Sequence, residues 1–257
     1  MTIRLFKQLV AQSIQENLSY RATSIIVMIF GILFFTIEIV TGLVYFDHTD
    51  LIGGWTRNDY LLLISVSSMI TYLYQTLFVV SHENLAEFIV EGELDYTFLR
   101  PVNSFYYYAL NRMDFPSIIN LVISIVAVFV FAIHYSWTPI RAIFFSLFIL
   151  LAVWLVFLLN QIIVTLSFWL EKSSKMLAIP EYLMDISSRP STVYPRLMRL
   201  FFSWVIPIVL LYNAPVLVLK NEINYLFFVY ILIFLIFLHS FALFLWNKGI
   251  VKYQSSN

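Results

Sequence analysis

Long apolar runs with almost no charge set the first constraint on this chain. They cover residues 24–46, 59–80, 115–134, 140–169, 199–219 and 225–246. A helix needs about 20 apolar residues to cross a hydrocarbon core of about 30 Å, so these runs predict six transmembrane helices. Composition removes the soluble alternative: 61% of residues are hydrophobic and 12% charged, whereas a soluble domain is about half apolar and a quarter charged. No single soluble core hides that much apolar area. The sequence reads as an all-α integral membrane protein forming one transmembrane domain over residues 1–257.

Punctuation supports the helix starts. Ser24, Asp59 and Thr138-Pro139 supply caps or a first-turn proline, and Asp114 with Pro116 does the same for the third run. The first run is too long for a signal-peptide core and lacks an A-x-A-like exit, so it reads as a retained span. The fourth is long enough to tilt or protrude. The fifth contains Pro207 and Pro215 with Asn213 between, which predicts a shorter helix followed by a re-entrant piece as the alternative to one straight rod.

Lysine and arginine set the orientation. With the N-terminus inside, only Arg57, Arg141 and Lys220 fall outside, while the other twelve of the fifteen basic residues are cytoplasmic, including Lys172, Lys175, Arg189, Arg196 and Arg199. Both termini are then cytoplasmic. Ile3, Phe6, Val10, Ile14 and Leu18 recur at helical spacing opposite Lys7, Gln8, Gln15 and Glu16, a pattern that suits an amphipathic helix lying on the inner leaflet. Trp246 and Tyr253 flank Lys248 and Lys252 as interfacial anchors. The formal net charge is zero, which points to no nucleic-acid partner. The absence of cysteine excludes disulfides and thiolate metal sites.

One short element breaks the apolar pattern: E-G-E-L-D-Y-T-F-L-R-P-V-N, residues 91–103. Ser81 with Glu83 is expected to start a short helix that Gly92 ends. A second turn from Glu93 to Leu99 brings Leu94 and Phe98 together, and Pro101 stops it because the residue before proline avoids helix. Asn103-Ser104 then caps the next segment. The reading is a folded knob at the cytoplasmic face with an acidic side and an apolar side. A solvated loop has no need of Leu94, Tyr96, Phe98 and Leu99, and an exposed apolar patch marks a docking surface.

That element, followed by N-R-M-D-F, resembles the first cytoplasmic loop of type-2 ABC transporter permeases, in the small six-span branch without a fused ATPase. S-F-W at 167–169, V-Y-P-R-L-M-R at 193–199, V-I-P-I at 205–208 and the W-N-K-G-I-V-K-Y tail extend the resemblance in order along most of the chain. It implies that Glu91, Gly92, Glu93, Leu94, Asp95, Tyr96, Phe98 and Leu99 form a coupling helix seated in a separate ATPase. Arg100-Pro101 would fix its exit, and Arg112 with Asp114 would tie the next segment to the third span. It implies a cytoplasmic ABC ATPase dimer carrying ATP and Mg, a second permease subunit of the same or a different sequence, and a bacterial cytoplasmic membrane. It also implies export of a hydrophobic or amphipathic drug, lipid or peptide.

The chain's own residues offer no catalytic site and no cofactor or metal site. No G-x-x-x-x-G-K-[ST] and no G-x-S-x-G occurs, and His48, His82, His134 and His239 are scattered. Polar residues within the spans are few. Glu38, Asn160, Gln161, Asn213 and His239 are the candidates for a translocation path, with interhelical hydrogen bonding as the other reading of each. Two further classes fit the composition: a membrane scaffold or receptor recruiting a partner through residues 91–103, and a secondary transporter. The second is weakened by the scarcity of intramembrane carboxylates.

Overall fold

The computed structural model describes residues 3–170, 176, 178–224 and 226–253. These are helical, with no strand among them beyond one isolated bridge between Ile52 and Trp55. Helix α1 spans Ile3–Ser19 and α2 Arg21–Phe46. Helices α3 (Arg57–Tyr74) and α4 (Val80–Glu91) are joined by a π-helical turn, Gln75–Val79. Two short helices follow, α5 (Leu94–Phe98) and α6 (Ser104–Ala109). Then come α7 (Pro116–Ala132), α8 (Pro139–Thr165), α9 (Ala178–Ser187), α10 (Arg196–Leu200), α11 (Ile208–Lys220) and α12 (Leu226–Lys252).

Four helical segments are long and apolar enough to cross a membrane: Arg21–Phe46, Arg57–Glu91, Pro139–Phe168 and Leu226–Lys252. A bent pair, Arg196–Val205 with Ile208–Lys220, would make a fifth, and α7 is a shorter apolar helix. The protein is a multi-pass membrane protein. Helix α8 is the central pillar and α2 the most peripheral member: 56% of the most apolar window of α8 is buried in the chain, against 6% for α2.

The bundle has two distinguishable ends. At the far end, Asp47–Thr56 forms a tight turn in which Gly53 (φ 57°) and Gly54 (φ 85°) take the left-handed conformation that a two-residue turn requires. Ile52 and Trp55 exchange backbone hydrogen bonds of 3.0 Å across it. Thr56 caps α3 and Asp59 returns the bond to the Thr56 nitrogen, a reciprocal cap. Asp59 was expected to start this helix and instead sits in its first turn. Its carboxylate also accepts from Tyr135 and pairs with Lys220 at 3.2 Å, and the Lys220 ammonium lies 4.9 Å over the Trp55 ring. One buried carboxylate thus fastens α3, the α7–α8 connection and α11 together.

At the near end, α1 lies against the residues before α7. Ser13 Oγ accepts from the Met113 nitrogen at 3.1 Å, and Asn17 donates to the Met113 carbonyl at 3.3 Å. Leu9 and Ser13 are buried while Ile3 and Leu18 are largely exposed. Ser24, expected to cap the first span, lies inside α2 and bonds back to Asn17. Ser81 does not start a helix either: α3, the π turn and α4 run unbroken for 35 residues, about 52 Å at 1.5 Å per residue. That exceeds the bilayer, so the rod carries α5 beyond it. The π turn leaves the Thr76 carbonyl free to accept from the Asp114 nitrogen at 3.1 Å, which ties the loop before α7 to the rod.

Of the two expectations for residues 199–219, the one straight rod is excluded. The chain does not break at Asn213 and Pro215, since α11 runs through both. It bends by 87° between Val205 and Ile208, at Pro207, which lacks the N–H a continuing helix needs. Nor do the two ends of this segment lie at opposite ends of the bundle. Gly53 packs directly against Thr192, and Lys220 returns to Asp59 beside the same turn. Phe168, by contrast, packs on Trp246 and Tyr253 at the near end. The chain therefore travels from near end to far end between Phe168 and Thr192, through α9, and residues 196–220 form a bent hairpin that starts and finishes at the far end. Arg189 moves with α9. Expected on the side of the termini, it instead donates to Tyr60 Oη at 2.8 Å and pairs with Glu38 at 3.2 Å in the far half. Lys172, Lys175 and the first residue of the sixth expected span, 225, lie outside the described residues.

Candidate functional site

Two regions hold the residues singled out from the sequence. The first is the knob at the near end. Gly92 ends α4 in the left-handed conformation (φ 76°), the position where glycine avoids a Cβ clash. Asn103 Oδ1 accepts from the nitrogens of Phe105 and Tyr106 and starts α6. Between them α5 turns one face inward. Leu94 is fully buried and Thr97 nearly so, while Val90, Tyr96 and Leu99 are 74%, 73% and 82% exposed.

This corrects the expected pairing of Leu94 with Phe98 as one outward apolar side. Leu94 belongs to the same buried cluster as Leu85, Phe88, Phe105, Tyr108 and Trp246. Phe98 is half-buried, its ring 5.5 Å from that of Tyr253. Burial, and after it the Asp95 carboxylate, push the Tyr253 hydroxyl up to about 12. The outward face carries Val90, Glu91, Glu93, Tyr96 and Leu99, followed by Arg100, whose guanidinium lies 4.9 Å over the Tyr107 ring, and Pro101.

Below this face the packing is dense and aromatic. Tyr108 donates to the Ser81 carbonyl and stacks on Trp246 at 5.7 Å, and Trp246 Nε1 donates to Ser104 Oγ at 3.1 Å. Arg112 lies 4.8 Å over Phe88 and 3.9 Å from Glu16, so it ties α1 to α4. Asp114 accepts from the Ser117 hydroxyl. Burial pushes the Asp114 carboxyl above its ordinary value, against the opposing pull of that hydrogen bond. The knob is thereby joined to the long rod through α4 and to α12 through Trp246 and Tyr253.

The second region is a cavity of about 540 Å³ walled by α2, α3, α7, α8 and α9. Glu38 and Asn160 line it. On its wall α9 presents Glu181, Met184 and Asp185, spaced to share one helix face, with Ser188 just past its end. Glu83 reaches it from α4, and Ser67 and Asn120 from α3 and α7. Ser67 and Asn120 are each 3% exposed, and Ser67 Oγ and Asn120 Oδ1 have no hydrogen-bond partner among the described residues. Gly31 lets α2 approach here: a Cβ at this position would overlap the Asn120 side-chain nitrogen.

The other polar candidates are held in structural bonds. Gln161 Oε1 lies 3.0 Å from His82 Nε2, and Tyr74 Oη lies 2.9 Å from His82 Nδ1. Gln161 Nε2 donates to Thr165, which leaves Oε1 as the acceptor. His82 is thus a neutral ring donating from Nε2 and accepting the tyrosine proton at Nδ1. Asn213 braces the climb of the chain, accepting from the Ser191 nitrogen at 2.8 Å and donating to the Arg189 carbonyl at 3.1 Å. His239 Nε2 pairs with Tyr106 Oη at 2.8 Å on a different, largely apolar groove. Of the five polar candidates, the fold brings Glu38 and Asn160 to the cavity and uses Gln161, Asn213 and His239 elsewhere.

Sequence reasoning did not single out Glu83, Glu181, Asp185, Ser67 or Asn120 as cavity residues. The four-residue spacing of Glu181 and Asp185 in A-I-P-E-Y-L-M-D-I-S was the available signal, hidden because 170–198 read as a cytoplasmic connection. Among the described residues, no group of histidines and carboxylates is arranged to hold a metal ion. Residues 27–257 match the family model for ABC-2 family transporter proteins. No curated protein and no solved structure matches the chain.

Proposed function

We propose, since the chain belongs to the ABC-2 family of transporter proteins, that it is the membrane-spanning permease subunit of an ATP-driven exporter and draws its energy from a separate ATPase. The family match carries this reading. The knob supports it: an overlong rod ends in three exposed apolar side chains, Val90, Tyr96 and Leu99, on a firmly packed base, which is the chemistry of a docking surface. In this reading ATP and Mg reside on a cytoplasmic ATPase dimer, and the present chain supplies neither nucleotide chemistry nor a metal. A second permease, a copy of this chain or a relative, completes the path, and the peripheral α2 faces it or lipid. The protein sits in a bacterial cytoplasmic membrane with both termini and the knob on the ATPase side. Its crossings include α2, the α3–α4 rod, α7, α8 and α12, with α9 on the return towards the outer face and 196–220 as a re-entrant hairpin from that face.

Mechanically, closure of the ATPase dimer on ATP pushes the knob. The rod passes that displacement to the cavity wall at Glu83, and Trp246 with Tyr253 pass it to α12. Exchange between inward- and outward-open cavities follows if the two states contact the ATPase differently. The cargo is hydrophobic or amphipathic and occupies the cavity. The test is co-purification with an ATPase co-expressed with the chain. Tyr96→Asp with Leu99→Asp removes the apolar face without entering the core, so membrane insertion and thermal stability stay normal and the ATPase is lost. An ATPase that still co-purifies with this variant at full stoichiometry would falsify the docking assignment.

A further inference from the structure

We propose that the cavity walled by α2, α3, α7, α8 and α9 binds an organic cation, an ammonium or guanidinium head carried on an apolar body. As a statement about cargo this rests on the permease reading; as a statement about binding it stands alone. Four carboxylates line the cavity, Glu38, Glu83, Glu181 and Asp185. Only Glu38 is ion-paired among the described residues, with Arg189. That guanidinium is also bonded to Tyr60 and feels the charge of Asp185, so one cation stands against four carboxylates and the lining keeps an excess of negative charge. Glu181 and Asp185 share a helix face, and Glu83 lies close enough to Glu181 to feel its charge. Like charges gathered around a low-dielectric cavity attract a cation and reject an anion.

Carboxylates alone would be satisfied by water, but two further observations point to a bound molecule. Ser67 Oγ and Asn120 Oδ1, which line the same cavity from α3 and α7, are buried and have no hydrogen-bond partner among the described residues. Such groups in a native structure call for a partner that is not part of the chain. The Asn120 nitrogen is pressed against Gly31, so the oxygen remains as an acceptor for an N–H donor. The rings of Phe30, Phe34 and Tyr72 complete the lining and offer both apolar contact and faces that attract a cation.

The experiment is a fluorescence titration of the purified full chain in nanodiscs of zwitterionic lipid. Two aromatic probes of opposite charge are used: ethidium, a cation with N–H donors, and anilinonaphthalene sulfonate. Saturable ethidium binding is expected, with anilinonaphthalene sulfonate weaker by about tenfold or more, as the loss of several charge contacts implies. Glu181→Gln with Asp185→Asn should weaken ethidium by about tenfold, and Glu87→Gln, exposed and off the cavity, should not. Should the double variant melt early, Glu83→Gln alone carries the test. Equal binding of the two probes, or unchanged ethidium affinity in the neutralised variants, overturns the proposal. The titration needs no ATPase. Ethidium binding by a chain that recruits no ATPase would therefore sink the permease reading and leave this one intact, and the reverse pattern would do the opposite.

Discussion

The knob and the α9 wall are both short helical elements attached to long spans, yet they are built in opposite ways. Leu94, Tyr108 and Trp246 beneath the knob are completely buried, and the Tyr108 and Trp246 polar atoms are satisfied. Along the α9 wall, Glu181 and Asp185 are exposed to the cavity, and the facing Ser67 and Asn120 keep an unmet polar atom each. A densely packed base transmits a push as a rigid body, because close-packed interiors do not deform continuously; Tyr253 Oη is its one buried polar side-chain atom without a hydrogen-bond partner among the described residues. A wall with unmet polar atoms is poised to trade partners with something that enters. On the reading proposed above, the first region carries force and the second holds cargo.

Three experiments press on that contrast. The largest effect should come from Leu94→Asp. A carboxylate placed in a fully buried apolar position costs on the order of 4 kcal/mol or more, so the variant should fail to give a monodisperse, thermally stable protein in detergent. A variant as stable as its parent would show the base of the knob to be loose. Next, the chain has no cysteine, so single cysteines report cleanly on sidedness. Thr192→Cys and Asp50→Cys, both exposed and near the far-end turn, should react with a membrane-impermeant maleimide from one side, and Glu87→Cys only from the other. If Thr192→Cys reacts with the Glu87→Cys side, α9 does not climb the bundle and the cavity wall is wrongly assembled.

The smallest effect concerns Asp114 in the loop that joins the knob to α7. Burial raises its carboxyl above the ordinary value of 3.8, so the folded state binds this proton more tightly than the unfolded one. Its contribution to stability is therefore full below the ordinary value and is lost as pH rises through the folded one. Asp114→Asn removes that dependence, and its melting temperature should fall less than the parent's between mildly acidic and neutral pH. Identical slopes for the two proteins would show that this carboxyl is solvated.

What could be read in advance divides along the same line as the two regions. Gly92, Asn103 and Thr138-Pro139 act on neighbours within four residues, and each works where the sequence placed it. Four of the expected runs became long apolar helices, because insertion into lipid depends on the summed hydropathy of one segment. The inward face of α5 was misread: in a five-residue helix, burial depends on whether Tyr108 and Trp246 arrive from elsewhere. Arg189 was misplaced for a related reason. Counting charge in connections assumes that a polar stretch stays on one side, and this one is drawn through the bundle by Asn213, Tyr60 and Glu38.

The sequence by itself determined a membrane-embedded helical chain and the position of its knob, since these follow from local apolarity and short-range turn chemistry, and its motifs carried the resemblance to type-2 permeases. Only the tertiary structure decided that 196–220 doubles back, that Leu94 faces inward, and that Glu38, Glu83, Glu181 and Asp185 share one cavity. Those outcomes rest on pairings between residues far apart in the chain, and hydropathy and spacing carry no record of which distant partner a side chain will meet.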